Sequence, residues 1–310
     1  MPTQTISKPK ALLWGPRDHL PRLARACTDA GWTVVAVGAP PARGASPEPD
    51  DALAETPHFD DARQAITDAE ADVALFLDPS PLDEPGIVKL CAHHELTPLC
   101  LAPADTSNTN APRVLPLLAD AVVHASALEA LEPVGPVQGL ALRMSAPAHL
   151  GGLPARLYDA MHLVLKHLGI PEQIHASCTN ATREGDPSPR QLAGTLHAHL
   201  RAPGYAATLA IDARVNILAR DALFMCETAT LRLTDGGFVV VAHDGAPTDK
   251  GEGAGVDPLV EQLKRVTDPR LPAPAPYEHA EVLALCDAIA LSVRTGQPES
   301  PHELLQIRGG

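Results

Sequence analysis

Three residues that can handle a proton follow one another at helical spacing in the second half of the chain. Asp159, His162 and Lys166 stand at i, i+3 and i+7 within Pro154 to Leu168, a segment whose apolar residues repeat with a helical period. An imidazole can take a proton from a hydroxyl, with the carboxylate orienting the ring and the ammonium supplying positive charge. The alternative is a polar helix face exposed to solvent, whose spacing only favours the helix.

Other histidines and the cysteines give weaker signals. His197 and His199 alternate along a predicted strand and share one face, which is metal-ligand geometry if a third ligand joins them, but the sequence supplies none. His93 and His94 end a predicted helix, where positive charge suits the helix dipole. The cysteines are far apart without a C-x-x-C pair, so we predict reduced, buried thiols and no metal: Cys27, Cys91, Cys100, Cys178, Cys226 and Cys286.

Composition excludes several classes of protein. The 310 residues carry 24 Lys and Arg against 38 Asp and Glu, a formal charge of -14, which disfavours nucleic acid as a partner. No apolar run approaches the ~18 residues that a membrane span requires, and the first residues do not resemble a secretory signal. We therefore predict a cytoplasmic protein. No G-x-S-x-G, H-E-x-x-H or P-loop motif occurs.

The first part of the chain alternates short buried strands with helices. Strands are predicted at 11–15, 33–38, 72–77 and 98–101, with helices at 20–30, 60–69 and 84–94 between them. Because each crossover helix must pass over a face of the sheet, this order predicts a doubly wound parallel sheet. Residues 1–125 are thus predicted to form a Rossmann-like domain.

Beyond that domain, strands follow one another directly. Around the helix at 154–168, strands are predicted at 137–144, 173–179, 194–200, 206–212, 229–233 and 238–242, with Asp235-Gly236-Gly237 as a hairpin turn. A last helix is predicted from Tyr277 to Arg294. Residues 126–310 are therefore predicted to be an α+β domain with an open, mostly antiparallel sheet.

Four stretches together resemble the Gfo/Idh/MocA family, the glucose-fructose oxidoreductase and inositol dehydrogenase family. They are the third Rossmann strand at 72–76, Gly151-Gly152 with the helix through Gly169, the hairpin from Glu227 to Gly245, and Ser292 to Pro298. The resemblance covers nearly the whole chain. It implies hydride transfer between NAD or NADP and a sugar or polyol, and assembly of copies, or of a copy and a paralogous subunit, through the open sheet.

The resemblance also implies site residues. His162 takes the position of the family's active-site histidine, with Asp159 and Lys166 beside it on the helix. Its coenzyme site falls on residues that follow the Rossmann strands: Gly15, Pro16, Arg17, His19, Asp78, Pro79 and Pro103.

The coenzyme motifs depart from the family pattern. A dinucleotide fingerprint needs G-x-G-x-x-G, whereas the first turn reads Gly15-Pro16-Arg17-Asp18-His19-Leu20. Pro16 lacks an N–H donor, and the Asp18 carboxylate would repel a diphosphate by ~4 kcal/mol at 4 Å and an effective dielectric of 20, which Arg17 offsets in part. Gly38 ends the second strand where an acidic residue should hold the ribose, although Arg43 nearby can favour a 2'-phosphate.

The catalytic motifs depart as well. The family's Glu-Lys-Pro motif, often preceded by Cys, reads Cys100-Leu101-Ala102-Pro103 here, and Tyr158 stands where many relatives have Asp. Losing one electrostatic catalytic group costs on the order of 100- to 1000-fold in rate. Two hypotheses follow. The chain is either an oxidoreductase with an altered site, in which Lys166 or Arg17 partly replaces the lost groups, or an inactive relative that serves as a scaffold, sensor or partner subunit.

Overall fold

The computed structural model describes residues 8–40, 53–104, 113–115, 117, 122–179, 189, 192–253, 255, 257–267 and 276–309. Arg43 lies outside these residues. The chain forms two compact units, Met1–Leu115 with Leu259–Pro272, and Pro116–Pro258 with Ala273–Gly310. The predicted boundary at 125 lies further along the chain, and the sequence did not assign 259–272 to the first unit. Within the described residues, no helix is long and apolar enough to cross a membrane.

The first unit contains a six-stranded sheet whose neighbouring strands are all parallel, as predicted. The strands, in the order β3-β2-β1-β4-β5-β6, are β1 (Lys10–Trp14), β2 (Thr33–Gly38), β3 (His58–Phe59), β4 (Val73–Phe76), β5 (Thr97–Cys100) and β6 (Arg113–Val114). The helices are α1 (Leu20–Asp29), α2 (Ala62–Asp68), α3 (Pro85–His93) and, later in the chain, α6 (Pro258–Val266).

Strand order reverses beside β1, which pairs with β2 on one side and β4 on the other. Leu12 and Leu13 are fully buried, as are Ala74 and Leu75, because a parallel sheet is covered on both faces. Open α/β sheets bind ligands in the crevice at such a reversal, outside the carboxyl ends of the strands. The crevice after β1 and β4 is therefore the candidate ligand site of this unit.

The second unit contains an eight-stranded sheet in the order β14-β13-β12-β11-β7-β10-β9-β8. Its strands are β7 (Val137–Ser145), β8 (Gln173–Cys178), β9 (Thr195–Ala202), β10 (Tyr205–Asp212), β11 (Arg220–Cys226), β12 (Ala229–Thr234), β13 (Gly237–Ala242) and β14 (Pro247–Glu252). Every neighbouring pair is antiparallel except β7 and β10, which confirms the mostly antiparallel sheet.

Three of the described helices pack on this second sheet. They are α4 (Val122–Leu131) on β12 to β14, α5 (Gly152–Leu168) on β7 and β10, and α7 (Pro276–Thr295) on β8; α8 (Pro301–Gly309) packs on α7. Leu140 and Leu142 of β7 are buried, whereas Ala141 between them is partly exposed and Arg143 after them is exposed. The alternation shows that the other face is open. The predicted helix at 277–294 is followed by α8, which the sequence analysis missed.

Candidate functional site

Unit one: the crevice after β1 and β4

Gly15 follows β1 at a point of close packing. A Cβ on Gly15 would lie 2.8 Å from Cβ of Leu77, which follows β4, so a side chain there would force the two segments apart. The Leu77 N–H donates to the Trp14 carbonyl and the Gly15 N–H to the Gly38 carbonyl, at 2.8 and 3.0 Å. The glycine is therefore required by the packing of this chain itself, whatever ligand the crevice takes.

The Trp14 ring occupies the end of β2. A Cβ on Gly38 would lie 2.3 Å from a carbon of that ring, so no larger residue fits beside it. This is where a ribose-binding carboxylate stands in a dinucleotide site. An acidic side chain at position 38 and a tryptophan at position 14 thus exclude each other sterically. The sequence signals this only by an unusual Trp before the first glycine.

Basic side chains surround the start of α1. Arg17 donates to the Asp60 carboxylate at 2.8 Å, and because Asp60 follows β3, this ion pair extends across the carboxyl end of β2. The His19 ring lies 3.6 Å from the Asp18 carboxylate, and His19 makes no side-chain cap to the helix. Pro16 and Pro21 supply no N–H, so the turn offers fewer backbone donors than a glycine-rich loop.

The remaining predicted coenzyme residues have structural partners or are buried. The Asp78 carboxylate accepts from the N–H and hydroxyl of Ser80, at 3.0 and 2.6 Å, and so caps the 3-10 turn that follows β4. Pro79 and Pro103 are buried. Ala102 is 4% exposed, so its methyl group fills a closed position.

A nicotinamide dinucleotide fits this crevice at one end. A helix N-terminus with the Arg17 guanidinium beside it attracts a diphosphate, because helix N–H groups and a positive side chain both attract anions. The Asp60 carboxylate on Arg17 and the Asp18 carboxylate beside His19 oppose that attraction in part. The end of β2, filled by Trp14 against Gly38, does not offer a carboxylate to the ribose.

Unit two: helix α5

Helix α5 starts after Gly151 and is buried over most of its length. Leu153 and every residue from Ala155 to Met161 are buried, so α5 is a core helix and not an amphipathic surface helix. Solvent exposure increases along the predicted stripe of this helix: Asp159 is fully buried, His162 is partly exposed and Lys166 is exposed. The alternative of an exposed polar face therefore describes Lys166 and, in part, His162, but not Asp159.

Asp159 lies against Arg156, a residue that the sequence analysis missed. Both side chains are 0% exposed, and Nη1 of Arg156 is 2.5 Å from Oδ2 of Asp159. Arg156 also donates to the Leu150 carbonyl at 3.5 Å. Burial lowers the pKa of the Arg156 guanidinium, the Asp159 charge opposes that shift, and nearby Arg220 adds to it. The spacing of an Arg three residues before an Asp in an apolar helix was the available signal.

Arg220 lies near this pair and forms a second ion pair at the hairpin. Its Nε lies 3.0 Å from Oδ1 of Asp235 in the turn between β12 and β13, and its backbone N–H donates to the same carboxylate at 3.0 Å. The two guanidiniums repel one another, and each has its own carboxylate. A buried guanidinium without such a partner would be costly, so each carboxylate balances the cation beside it.

His167, near the end of α5, is a neutral packing residue. Its ring meets Phe224 of β11 edge to face, with centroids 5.1 Å apart. Burial, then the charges of Lys166 and His162, lower the pKa of His167 to about 4. The exposed side of the stripe therefore carries His162 and Lys166, with an uncharged imidazole beside them at pH 7.

The structure also locates the other histidines and the cysteines considered in the sequence. His197 and His199 are exposed on β9, and among the described residues no group of three or more His, Cys, Asp or Glu can hold a metal ion. His93 is in the last turn of α3, as predicted. All six cysteines lie in the described residues and carry thiols without a disulfide, and all are buried except the partly exposed Cys178.

Comparison with known proteins

A scan of protein-family models finds no match to this sequence, and no curated protein sequence matches it. Solved structures do match. An oxidoreductase from Agrobacterium radiobacter, solved with NAD+, L-tartaric acid and magnesium, has 13% identity and a TM-score of 0.66 over 96% of this chain and 100% of its own. This chain shares its fold with that protein. The fold that the Gfo/Idh/MocA resemblance implied is confirmed.

Two sugar-nucleotide dehydrogenases show the same similarity. UDP-N-acetylglucosamine 3-dehydrogenase GnnA from Acidithiobacillus ferrooxidans has 14% identity and a TM-score of 0.65 over 94% of this chain and 99% of its own. The WlbA dehydrogenase from Bordetella pertussis, in complex with NADH and UDP-GlcNAcA, has 14% identity and a TM-score of 0.61 over 95% and 99%. Both units of the chain are covered in each case.

Proposed function

We propose that the chain is a divergent member of the Gfo/Idh/MocA family that exchanges hydride between NAD or NADP and a sugar or polyol in the cytoplasm. One observation carries this proposal. The shared fold extends over 94–96% of the chain in oxidoreductases, two of them solved with a nicotinamide coenzyme. A scaffold kept over its whole length supports the chemistry that it serves elsewhere, although fold by itself does not fix function.

The chain's own groups then have defined roles. His162, at the exposed end of the stripe, takes the proton of the substrate hydroxyl, and Lys166 one turn later supplies positive charge. The Arg156–Asp159 pair holds the helix from beneath. Arg17 and His19 would hold the coenzyme diphosphate, with Gly15, Pro16, Asp78, Pro79 and Pro103 forming the crevice. The chemistry that such a coenzyme supplies is hydride exchange with the substrate carbon.

Titration calorimetry with NADH and NADPH tests the coenzyme part. We expect binding in the micromolar range, and no heat together with no thermal shift at millimolar coenzyme would reject it.

A sugar and polyol panel then tests turnover. His162→Gln should lower kcat by about 100- to 10,000-fold, because a general base contributes that much. His175→Gln, an exposed histidine on β8, is the matched control and should leave kcat unchanged.

A second candidate is a catalytically inactive relative that keeps the scaffold. It is favoured by the closed position of Ala102 and by the Trp14 ring on Gly38, because both remove groups that grip the coenzyme or polarise the alcohol. In this case Ala102→Lys alone yields no turnover, since the glycine turn and the ribose anchor are also changed. Dehydrogenase activity of the unmodified chain would eliminate this candidate.

The open sheet of the second unit is the proposed contact between copies, or with a paralogous subunit. Three apolar side chains on β11 and β13 are partly or fully exposed: Met225, Val239 and Val241. We call these three residues the apolar half of the open face. Covering exposed apolar side chains on one side of an antiparallel sheet removes them from water. The apolar half therefore favours association.

A further inference from the structure

The open face of the second sheet also carries a pocket, centred on β10 and next to the apolar half, since Leu223 in its lining and Met225 lie two residues apart on β11. It measures about 420 Å³ and is lined mainly by side chains of β7, β9, β10 and β11. Small residues, Ala141 and Ala210, stand among larger ones on the neighbouring strands. The pocket exists because the sheet has methyl groups where its flanking strands carry long polar side chains.

Register places an imidazole and a guanidinium on opposite sides of one methyl group. Ala210 pairs with His197 on β9 and with Arg143 on β7, so these two residues are two strands apart, roughly 10 Å between Cα atoms. The Ala210 methyl is the side chain between them. A gap of this width, with a hydrogen-bonding cationic group on one side and an imidazole on the other, matches one oxyanion group.

The next row of the sheet adds further polar atoms. Thr208 pairs with His199 on β9 and with Ala141 on β7, and Leu223 pairs with Ala141 from β11. A second imidazole and a hydroxyl therefore stand beside the first pair. Ala141 and Leu223 offer apolar surface at the same level, so the pocket can hold a carbon skeleton next to a charged group.

The acidic group at the pocket is already neutralised. Asp221 pairs with Arg143 across β7 and β11, but the Arg232 guanidinium donates to both of its oxygens, at 3.0 and 2.8 Å. These hydrogen bonds from Arg232 lower the pKa of the Asp221 carboxyl. Arg143 thus leaves a local positive charge on a chain whose formal charge is -14.

We propose that this pocket binds a small organic anion, a carboxylate or phosphate carried on a compact apolar body. The oxyanion lies over Ala210 between Arg143 and His197, and the body lies over Ala141 against Leu223. Helix α5 packs on the opposite face of β7 and β10, so this site is separate from His162. The proposal does not depend on the chain being a dehydrogenase.

Calorimetric titration of the full chain at low salt with inorganic phosphate, benzoate and phenyl phosphate tests the site. We expect phenyl phosphate or benzoate to bind more tightly than inorganic phosphate, because the latter lacks an apolar body. Arg143→Gln should weaken binding by at least about tenfold, since a charge-assisted hydrogen bond of about 1.5–3 kcal/mol is lost. Ala210→Leu, which fills the gap and leaves every charge in place, should abolish binding.

One arginine variant is the matched control. Arg201→Gln changes a cation on the same strand as His197 but outside the pocket lining, and it should not alter the affinity. The proposal is overturned if no probe binds at millimolar concentration, or if Arg201→Gln weakens binding as much as Arg143→Gln. It is also overturned if Arg143→Gln changes only the sedimentation of the chain and not its affinity for the probes.

Discussion

Trp14 and Gly38 share one space at the carboxyl ends of two neighbouring parallel strands. The ring of Trp14 lies where a side chain on Gly38 would have to go, with a carbon 2.3 Å from the position of a Cβ. An acidic residue at the end of β2 is therefore incompatible with Trp14 and not simply absent. The two residues must be changed together if the ribose anchor is to be restored.

We expect Gly38→Ala to lower the free energy of unfolding by about 1–3 kcal/mol, as overpacking of a core does. Trp14→Val should also be destabilising, because it leaves a cavity in the core. The double variant should lose less than the sum of the two single losses, because the smaller side chain at position 14 makes room for the added methyl group. Urea unfolding of the single and double variants measures this. Gly236→Ala is the control, since its nearest atom would be 3.7 Å away. Strict additivity would show that the ring and the glycine do not compete.

The Arg156–Asp159 pair leads to a second expectation at this scale. Asp159→Asn should lower the free energy of unfolding by about 3–5 kcal/mol, because it leaves a buried guanidinium without its counter-charge. Asp221→Asn is the matched control at an exposed pair and should cost less than about 1 kcal/mol. Thermal and urea unfolding at pH 7 compare the two. Equal losses would mean that burial of the pair has no special cost.

At the scale of elements, helix α5 joins a buried half to an exposed end. Its buried half packs on β7 and β10 and contains the Arg156–Asp159 ion pair. His167 packs its last turn on Phe224. His162 lies between the ion pair and His167, so its backbone position is fixed from both sides.

His167 makes the packing of this helix sensitive to pH. Its pKa is about 4 in the folded chain and ~6.5 when unfolded, so between these values the unfolded chain binds the extra proton. Stability should therefore be full above pH 6.5 and fall as the pH drops towards 4, by at most roughly 3 kcal/mol. His167→Leu should flatten this part of the curve of unfolding free energy against pH. His93→Gln, an exposed histidine, should not, and an unchanged curve for His167→Leu would refute the assignment.

At the scale of the whole molecule, the open face of the second sheet is the surface through which copies are proposed to meet. Its apolar half, Met225, Val239 and Val241, lies on β11 and β13, while the anion pocket is centred on β10. Leu223 in the pocket lining and Met225 lie two residues apart on β11, so association through the apolar half should compete with the binding of an anion. The two proposals concern one face but can be tested by different variants.

Met225→Lys should reduce self-association by at least about tenfold, because it places a charge in the centre of the apolar half. Sedimentation velocity over a range of concentrations measures the change. Ile307→Lys is the control, since Ile307 is 77% exposed on α8 and not on the sheet. A chain that sediments as a monomer at every concentration, or one that both variants dissociate equally, would rule out this contact face.

The sequence by itself determined the two kinds of sheet. Short apolar strands alternating with helices give a parallel sheet because each crossover must cover a face, and directly connected strands give antiparallel pairs. The strands at 33–38 and 229–233 and the turn at Asp235 were all predictable from local pattern. In contrast, β11, with the helix-favouring residues Ala222, Leu223 and Met225, is a strand because β7 and β12 pair with it.

Only the tertiary structure decided the partners of the site residues. Periodicity placed Asp159 and His162 on one stripe, but the burial of Asp159 against Arg156 depends on what packs around α5. Likewise, the displacement of the ribose anchor by Trp14 and the gap between Arg143 and His197 depend on strand register. A local pattern fixes the direction of a side chain along its own element, whereas the neighbour it meets is set by contacts between residues far apart in the chain.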